Sequence, residues 1–385
     1  MRRYVTRAAV PAVLIGLVGA AHGGPLQGLA AGVPAVAGPS PSVENLGEAS
    51  RAPSFAPEST TPGSSRWFEG WDLRPPWLCE YSSDCIDDYL VFPTLALEHA
   101  SLLSVEEVAA DVRRAAAAPV RKEHPRPEVL QAIVRDAVGT SFLFDGVDSV
   151  PLQVTRLASV ETPQWRQDHL LVQDPWIGAL PVRVLAPPGV DITRPESSRP
   201  VLLFVSGHLD TADSLLEEYD GQGFVDAGYV VVTIESRADD SGPVEDWASR
   251  YLLVNGFTLM GIRMYEALIV LRLLRDARGV DPTRIGLLGH SGGSSVVNTL
   301  VRLHPSGVAA AVSDHHSDYY NHADERYTLC ELVPELVSWS VSLSDPSTAP
   351  MPMKRVDYGW PGGARTVTRF FDRYLGPVSP GGSAE

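Results

Sequence analysis

Four apolar runs restrict what this chain can fold into: Pro200-Val201-Leu202-Leu203-Phe204-Val205, Tyr229-Val230-Val231-Val232-Thr233-Ile234, Arg284-Ile285-Gly286-Leu287-Leu288 and Val308-Ala309-Ala310-Ala311-Val312. A strand wetted on one face alternates apolar with polar residues. A continuous β-rich run marks a strand covered on both faces, hence a mainly parallel sheet between two helix layers. Between the second and third runs, residues 256–275 carry Leu259, Ile262, Met264, Leu268, Val270, Leu271 and Leu274, which suits a crossover helix packed on the sheet. The fold class that follows is α/β, doubly wound and mainly parallel. The 385 residues allow one such domain and an extra N-terminal region. Residues 150–157 and 168–184 also read as strands, with turn signals between them. Upstream, Ser104-Val105-Glu106-Glu107 has capping-box spacing for a helix start, and a second helix is expected over 127–138.

The third run leads into Gly289-His290-Ser291-Gly292-Gly293, a G-x-S-x-G sequence before a helical stretch. In a strand–turn–helix setting the glycines permit a turn too tight for Cβ atoms. The turn holds the serine hydroxyl clear of the backbone, at the positive end of the helix. Ser291 is the candidate nucleophile. In a parallel sheet, functional groups gather beyond the carboxyl ends of the strands. Ser206-Gly207-His208, Glu235, Ser291 and Asp314 all stand at such ends. Gly292 and His208 are the expected backbone donors to an oxyanion. His290 reads as a packing residue that points away from the nucleophile.

The N-terminus resembles an export signal over 1–23: Arg2, Arg3 and Arg7, an apolar run over about 8–18, then Gly19, Ala20 and Ala21. The run is too short to span a bilayer, and no cysteine stands near the expected cleavage point for a lipid anchor. Residues 24–65, rich in Ala, Gly, Pro and Ser, read as a linker. Residues 66–149 read as a helical region with a dense aromatic stretch at 67–77, residues 150–377 as the catalytic domain, and 378–385 as a tail. The formal charge of −16 argues against nucleic acid and anionic membrane as partners. Cys79 and Cys85 either close a small disulfide loop or remain buried thiols, and Cys330 reads as a small apolar residue. Neither C-x-x-C spacing nor a second cysteine pair supports zinc.

Several segments resemble the α/β-hydrolase superfamily, in its acetyl xylan esterase-like and dienelactone hydrolase-like branch. They are residues 279–286 leading into the serine motif, Val205-Ser206-Gly207-His208, residues 261–268, and Cys330-Glu331-Leu332-Val333-Pro334-Glu335-Leu336. The resemblance covers residue 150 to the C-terminus. It implies a serine hydrolase of carboxylic esters, on acetylated carbohydrate or small esters, that needs no cofactor.

That family orders its triad as serine, acid, histidine, with acid and histidine after the seventh and eighth strands. Here the segment beyond Pro334 is too short for both strands with their helices, so the fold is expected to be shortened at its C-terminal end. Residues 340–345 resemble a remnant of the seventh strand, with Asp345 as its acid. Residues 353–360 resemble the eighth strand and its loop, and 366–375 the closing helix. Tyr358-Gly359-Trp360 stands where the histidine is expected, and no histidine follows His322. Three explanations compete. The base has moved to His315, His316 or His322, with Asp314 or Asp345 orienting it; the protein keeps the pocket as a non-catalytic binder; or the segment 340–352 records a deletion. Of the histidines, His316 is the expected base and Asp345 the expected acid. A metal site at Asp314, His315 and His316 is a weaker alternative.

Overall fold

The computed structural model describes residues 103–376, apart from 196–197, 209, 235, 238–241 and 316–331. All of them lie within one unit, Thr60–Glu385. The export signal, the linker, the aromatic stretch, the three cysteines, Glu235, His316, His322 and the tail fall outside the described residues.

Helix α1 (Val105–Ala116) starts with the expected capping box: the Ser104 hydroxyl accepts from Glu107 N–H, and the Glu107 carboxylate accepts from Ser104 N–H at 2.9 Å. Helix α2 (Pro127–Ala137) begins on proline, whose missing N–H costs nothing in a first turn, and buries Leu130 and Val134. Three antiparallel strands follow: β1 (Gln153–Glu161), β2 (Arg166–Asp174) and β3 (Gly178–Ala186). The stretch read as one strand region over 168–184 is two strands. The Asp174 carboxylate takes the N–H groups of Trp176 and Ile177, and Gly178 turns at φ +73°. β1 lies at the sheet edge and is exposed along its whole length.

The apolar runs become β4 (Arg199–Val205), β5 (Val230–Ile234), β6 (Val280–Gly289) and β7 (Val308–Ser313). They are joined by parallel pairings, and β3 meets β5 antiparallel. Helix α3 (Gly221–Asp226) precedes β5, and α4 (Gly242–Val254) and α5 (Leu259–Asp276) follow it. Helix α6 (Gly292–Leu300) leaves the serine turn. The short helix α7 (Ser340–Ser344), the three-residue strand β8 (Met353–Arg355) and helix α8 (Ala364–Leu375) complete the chain.

The eight strands run in the order β1-β2-β3-β5-β4-β6-β7-β8. This is the mainly parallel, doubly wound sheet that the sequence leads one to expect, with one short strand after β7 in place of two. Each face of the sheet has its own core. One is built on α2, α5 and α6 with Val201, Leu203, Val232 and Leu287. The other is built on α3 and α8 with Leu202, Phe204, Val231 and Leu288. Opposite parity on the same strands explains why their sequences run apolar without alternation. Residues 340–344 are helical, with Asp345 at the C-cap in extended backbone, not the strand remnant expected. The buried Arg302 guanidinium gathers the carbonyls of Ser342, Leu343 and Asp345 at 3.2, 2.8 and 2.9 Å, which fixes the C-terminal end of α7.

Among the described residues, no helix is long and apolar enough to cross a membrane.

Candidate active site

Ser291 occupies the bend between β6 and α6 with φ 48° and ψ −120°, a backbone conformation that L-residues with side chains rarely adopt. Its neighbours show why the motif needs glycine. A Cβ on Gly289 would stand 2.7 Å from the carbonyl oxygen of Gly293, and one on Gly293 would stand 2.1 Å from that of Val205. Helix α6 therefore starts hard against the end of β4. Ser291 is partly exposed, and its hydroxyl makes no hydrogen bond among the described residues.

The loop after β4 closes on the serine from the other side. A Cβ on Gly207 would lie 2.7 Å from Ser291 Cβ, 3.1 Å from His290 Cδ2 and 3.2 Å from Asp210 Oδ2. The loop is braced by its own carboxylate: Gly207 N–H donates to Asp210 Oδ2 at 2.7 Å, and Tyr219 O–H donates to Asp210 Oδ1 at 3.0 Å. Burial, with Asp210 next to it, pushes the Tyr219 hydroxyl far above its usual range, so it stays a donor.

His208 sits in this loop, with Nε2 3.5 Å from Glu245 Oε2. Glu245 is buried and also meets the Arg263 guanidinium at 2.7 Å. Arg263 donates to the Arg237 carbonyl, and Arg237 pairs with Glu266 at 2.9 Å. Burial pushes the Glu266 carboxyl up, against the pull of Arg237 and Arg263. Side chains of α4 and α5 thus hold the His208 loop from beneath.

Asp314 follows β7, and the parallel pairing of Gly289 with Ser313 sets it beside His290. Its carboxylate collects an unusual number of partners. Oδ2 lies 2.5 Å from His290 Nδ1 and accepts from Gly359 N–H at 2.7 Å. Oδ1 accepts from Ser291 N–H and from the Ser294 hydroxyl, each at 2.9 Å. Burial alone would raise this carboxyl; the bonds from His290, Gly359 and Ser291 outweigh it and hold it below 3.8. The His290 ring is buried, with Tyr219 at 4.3 Å and Tyr358 at 4.8 Å between ring centroids. The Tyr358-Gly359-Trp360 segment does come to the site, where the Gly359 amide fills one position on the carboxylate.

The structure brings together Ser291, Gly292 and the His208 loop. It does not bring Asp345 to them. That carboxylate caps Ser347 N–H at 2.8 Å and lies 3.6 Å from His124 Nδ1. Its backbone is held by Arg302, beyond the C-terminal end of α6, whereas Ser291 stands at the N-terminal end; at about 1.5 Å per residue the two are roughly 15 Å apart along the helix. The segment expected to carry Asp345 on a strand folded as a helix, which turned the carboxylate to the wrong end of the sheet. His316 is outside the described residues. His315 lies beside the site, with its ring 6.0 Å from that of Tyr358 and its carbonyl accepting from Asn298. Sequence reasoning missed the contact between His290 and Asp314. Each is the first residue beyond the end of an adjacent parallel strand, a juxtaposition set by the strand register.

Among the described residues, no group of three or more His, Cys, Asp or Glu is arranged to hold a metal ion.

No protein-family model and no curated protein matches the chain. Solved structures similar to it include a Bacteroides fragilis protein assigned as an acetyl xylan esterase, 16% identical, with 67% of this chain and 76% of that one covered and a TM-score of 0.49. Acetyl xylan esterase 1 from Thermoanaerobacterium sp. is 15% identical, with coverages of 69% and 98% and a TM-score of 0.46. An acetyl xylan esterase from Paenibacillus sp. is 13% identical, with coverages of 64% and 98% and a TM-score of 0.44.

Proposed function

We propose that the chain is a serine-dependent hydrolase of carboxylic esters, acting on acetylated carbohydrate or other small esters without a cofactor. The observation that carries this reading is the Ser291 bend. A partly exposed hydroxyl, without a hydrogen bond among the described residues, is held at φ 48° at the start of α6. Strain of this kind costs about 1–3 kcal/mol and persists where the surrounding structure enforces it. Ser291 Oγ attacks the ester carbonyl carbon. The N–H groups of Gly292, in the first turn of α6, and of His208, in the loop pressed against Ser291, receive the negative oxygen. The positive N-terminal end of α6 favours the same charge. The enzyme acts outside the cytoplasm, exported by the segment with Arg2, Arg3 and Arg7, and binds neither nucleic acid nor membrane once that segment is removed.

Treating purified protein with a fluorophosphonate probe tests the nucleophile. Labelling is expected in the wild type and absent in Ser291→Ala. A folded wild type that remains unlabelled would instead point to a binding protein that keeps the pocket without the chemistry. That alternative draws on one observation, the absence of histidine from 358–360.

A further inference from the structure

We infer that His290, oriented by Asp314, is the general base for Ser291, so that base and nucleophile are consecutive residues. This inference rests on the serine hydrolase reading above and supplies the proton acceptor that reading lacks.

A serine nucleophile needs an imidazole whose one nitrogen is fixed by a carboxylate while the other faces the hydroxyl. His290 has the first half of that arrangement, with Nδ1 2.5 Å from Asp314 Oδ2. Bonding at Nδ1 leaves Nε2 as the proton-accepting nitrogen. No hydrogen bond among the described residues uses Nε2. The ring edge that carries it, marked by Cδ2, lies 3.1 Å from the point where a Gly207 Cβ would sit. Ser291 Cβ lies 2.7 Å from that same point. The unbonded edge of the imidazole and the root of the nucleophile therefore converge on one spot, which exists only because residue 207 has no side chain.

Asp314 is equipped for the orienting role. It is buried, it stays ionised below the usual carboxylate range, and Gly359 N–H and the Ser294 hydroxyl secure the lone pairs that His290 does not use. It also accepts from Ser291 N–H, so the same carboxylate positions both partners. Tyr219 and Tyr358 border the ring and restrict its rotation.

The step balances without a co-reactant. His290 Nε2 takes the proton from Ser291 Oγ as Oγ bonds to the carbonyl carbon, and the carbonyl π pair moves to oxygen. Collapse breaks the ester C–O bond, and the leaving alkoxide takes the proton from Nε2. Water then attacks the acyl-serine, gives its proton to Nε2, and Ser291 Oγ leaves and recovers it.

The experiment is the rate of Ser291 labelling by a fluorophosphonate as a function of pH, in the wild type, His290→Gln, Asp314→Asn and His316→Gln. Circular dichroism confirms folding of each. A wild-type rate that rises with pH through one ionisation is expected. His290→Gln should lose that ionisation and label about 10³-fold more slowly, as removal of a general base does. Asp314→Asn should also slow labelling, and added imidazole should restore part of the rate in His290→Ala. A crystal structure of the phosphonylated wild type, which requires no variant to fold, should place His290 Nε2 within about 3.2 Å of Ser291 Oγ. An unchanged rate and profile in His290→Gln, with the loss seen in His316→Gln or His316 found against Oγ in the adduct, overturns this inference and leaves the nucleophile reading intact. A wild type unlabelled at every pH overturns both.

Discussion

Gly207 has no room for a side chain, and the reason lies in the chemistry of its neighbours. An added Cβ would stand 2.7 Å from Ser291 Cβ, so the backbone of the loop, and with it the His208 N–H, must retreat. Gly207→Ala should lower kcat on an acetate ester about 10²-fold, the usual effect of losing one oxyanion donor, with little change in melting temperature. Turnover of p-nitrophenyl acetate beside a thermal melt checks it; full activity in the variant would show that the loop takes no part. Asp314 makes a second prediction at this scale. Its folded pKa lies below its ordinary 3.8. The stability it contributes is therefore present above that value and lost as pH falls through the lowered pKa. Melting temperature measured from pH 5 to pH 2.5 should fall less steeply in Asp314→Asn than in the wild type. Asp191, held at about 2 against the cost of burial by its bonds from Thr193 and Arg156, stays ionised in the folded protein over this range while it protonates in the unfolded chain, and so gives both proteins a common residual slope.

The elements around the site are joined by single side chains. Asp220, left-handed at φ 56°, accepts from Ala364 N–H at 2.7 Å and so caps α8 from a loop 144 residues earlier. Asp220→Ala should cost about 1 kcal/mol, as loss of a helix cap does, read as a denaturant midpoint shift at constant slope. The Asn variant should retain most of the cap. The strands β4 to β7 were legible in the sequence because burial on both faces leaves a continuous apolar run, a pattern that few other environments produce. The helix over 340–344 was not. Val341 and Leu343 alternate with serines as strand residues do, and what makes the segment helical is a distant Arg302 that collects its carbonyls. Likewise Ser291 could be read from its glycines, a local constraint. The partnership of His290 with Asp314 depends on the register of two strands, which no short motif encodes. Asp345, expected on a strand, instead follows a helix, where its carboxylate accepts from Ser347 N–H and faces His124.

On the scale of the whole molecule, the candidate reactive groups and the ion pairs of Glu245 and Glu266 that brace them stand at one end of the sheet, and a second group of ion pairs stands apart from them. Arg156 and Arg166 bridge Asp168 and Asp191 across β1 and β2, well removed in sheet order from β6. If the segment with Arg2, Arg3 and Arg7 directs export, protein recovered from the culture medium should begin near residue 24, which mass spectrometry of the intact chain reads directly. An intact Met1 on secreted protein would refute that assignment. Treatment with chelator should leave labelling of Ser291 unchanged, whereas loss would implicate a metal at Asp314, His315 and His316.

His290 and Ser291 share a peptide bond and answer to one carboxylate. Proton acceptor and attacking oxygen therefore travel together when the protein breathes, and no swing of a remote loop can part them. The residues after β8 serve that pair from outside: the Gly359 amide steadies the shared carboxylate, and the exposed Tyr358 ring borders the imidazole, so a change at either should be felt in the proton transfer.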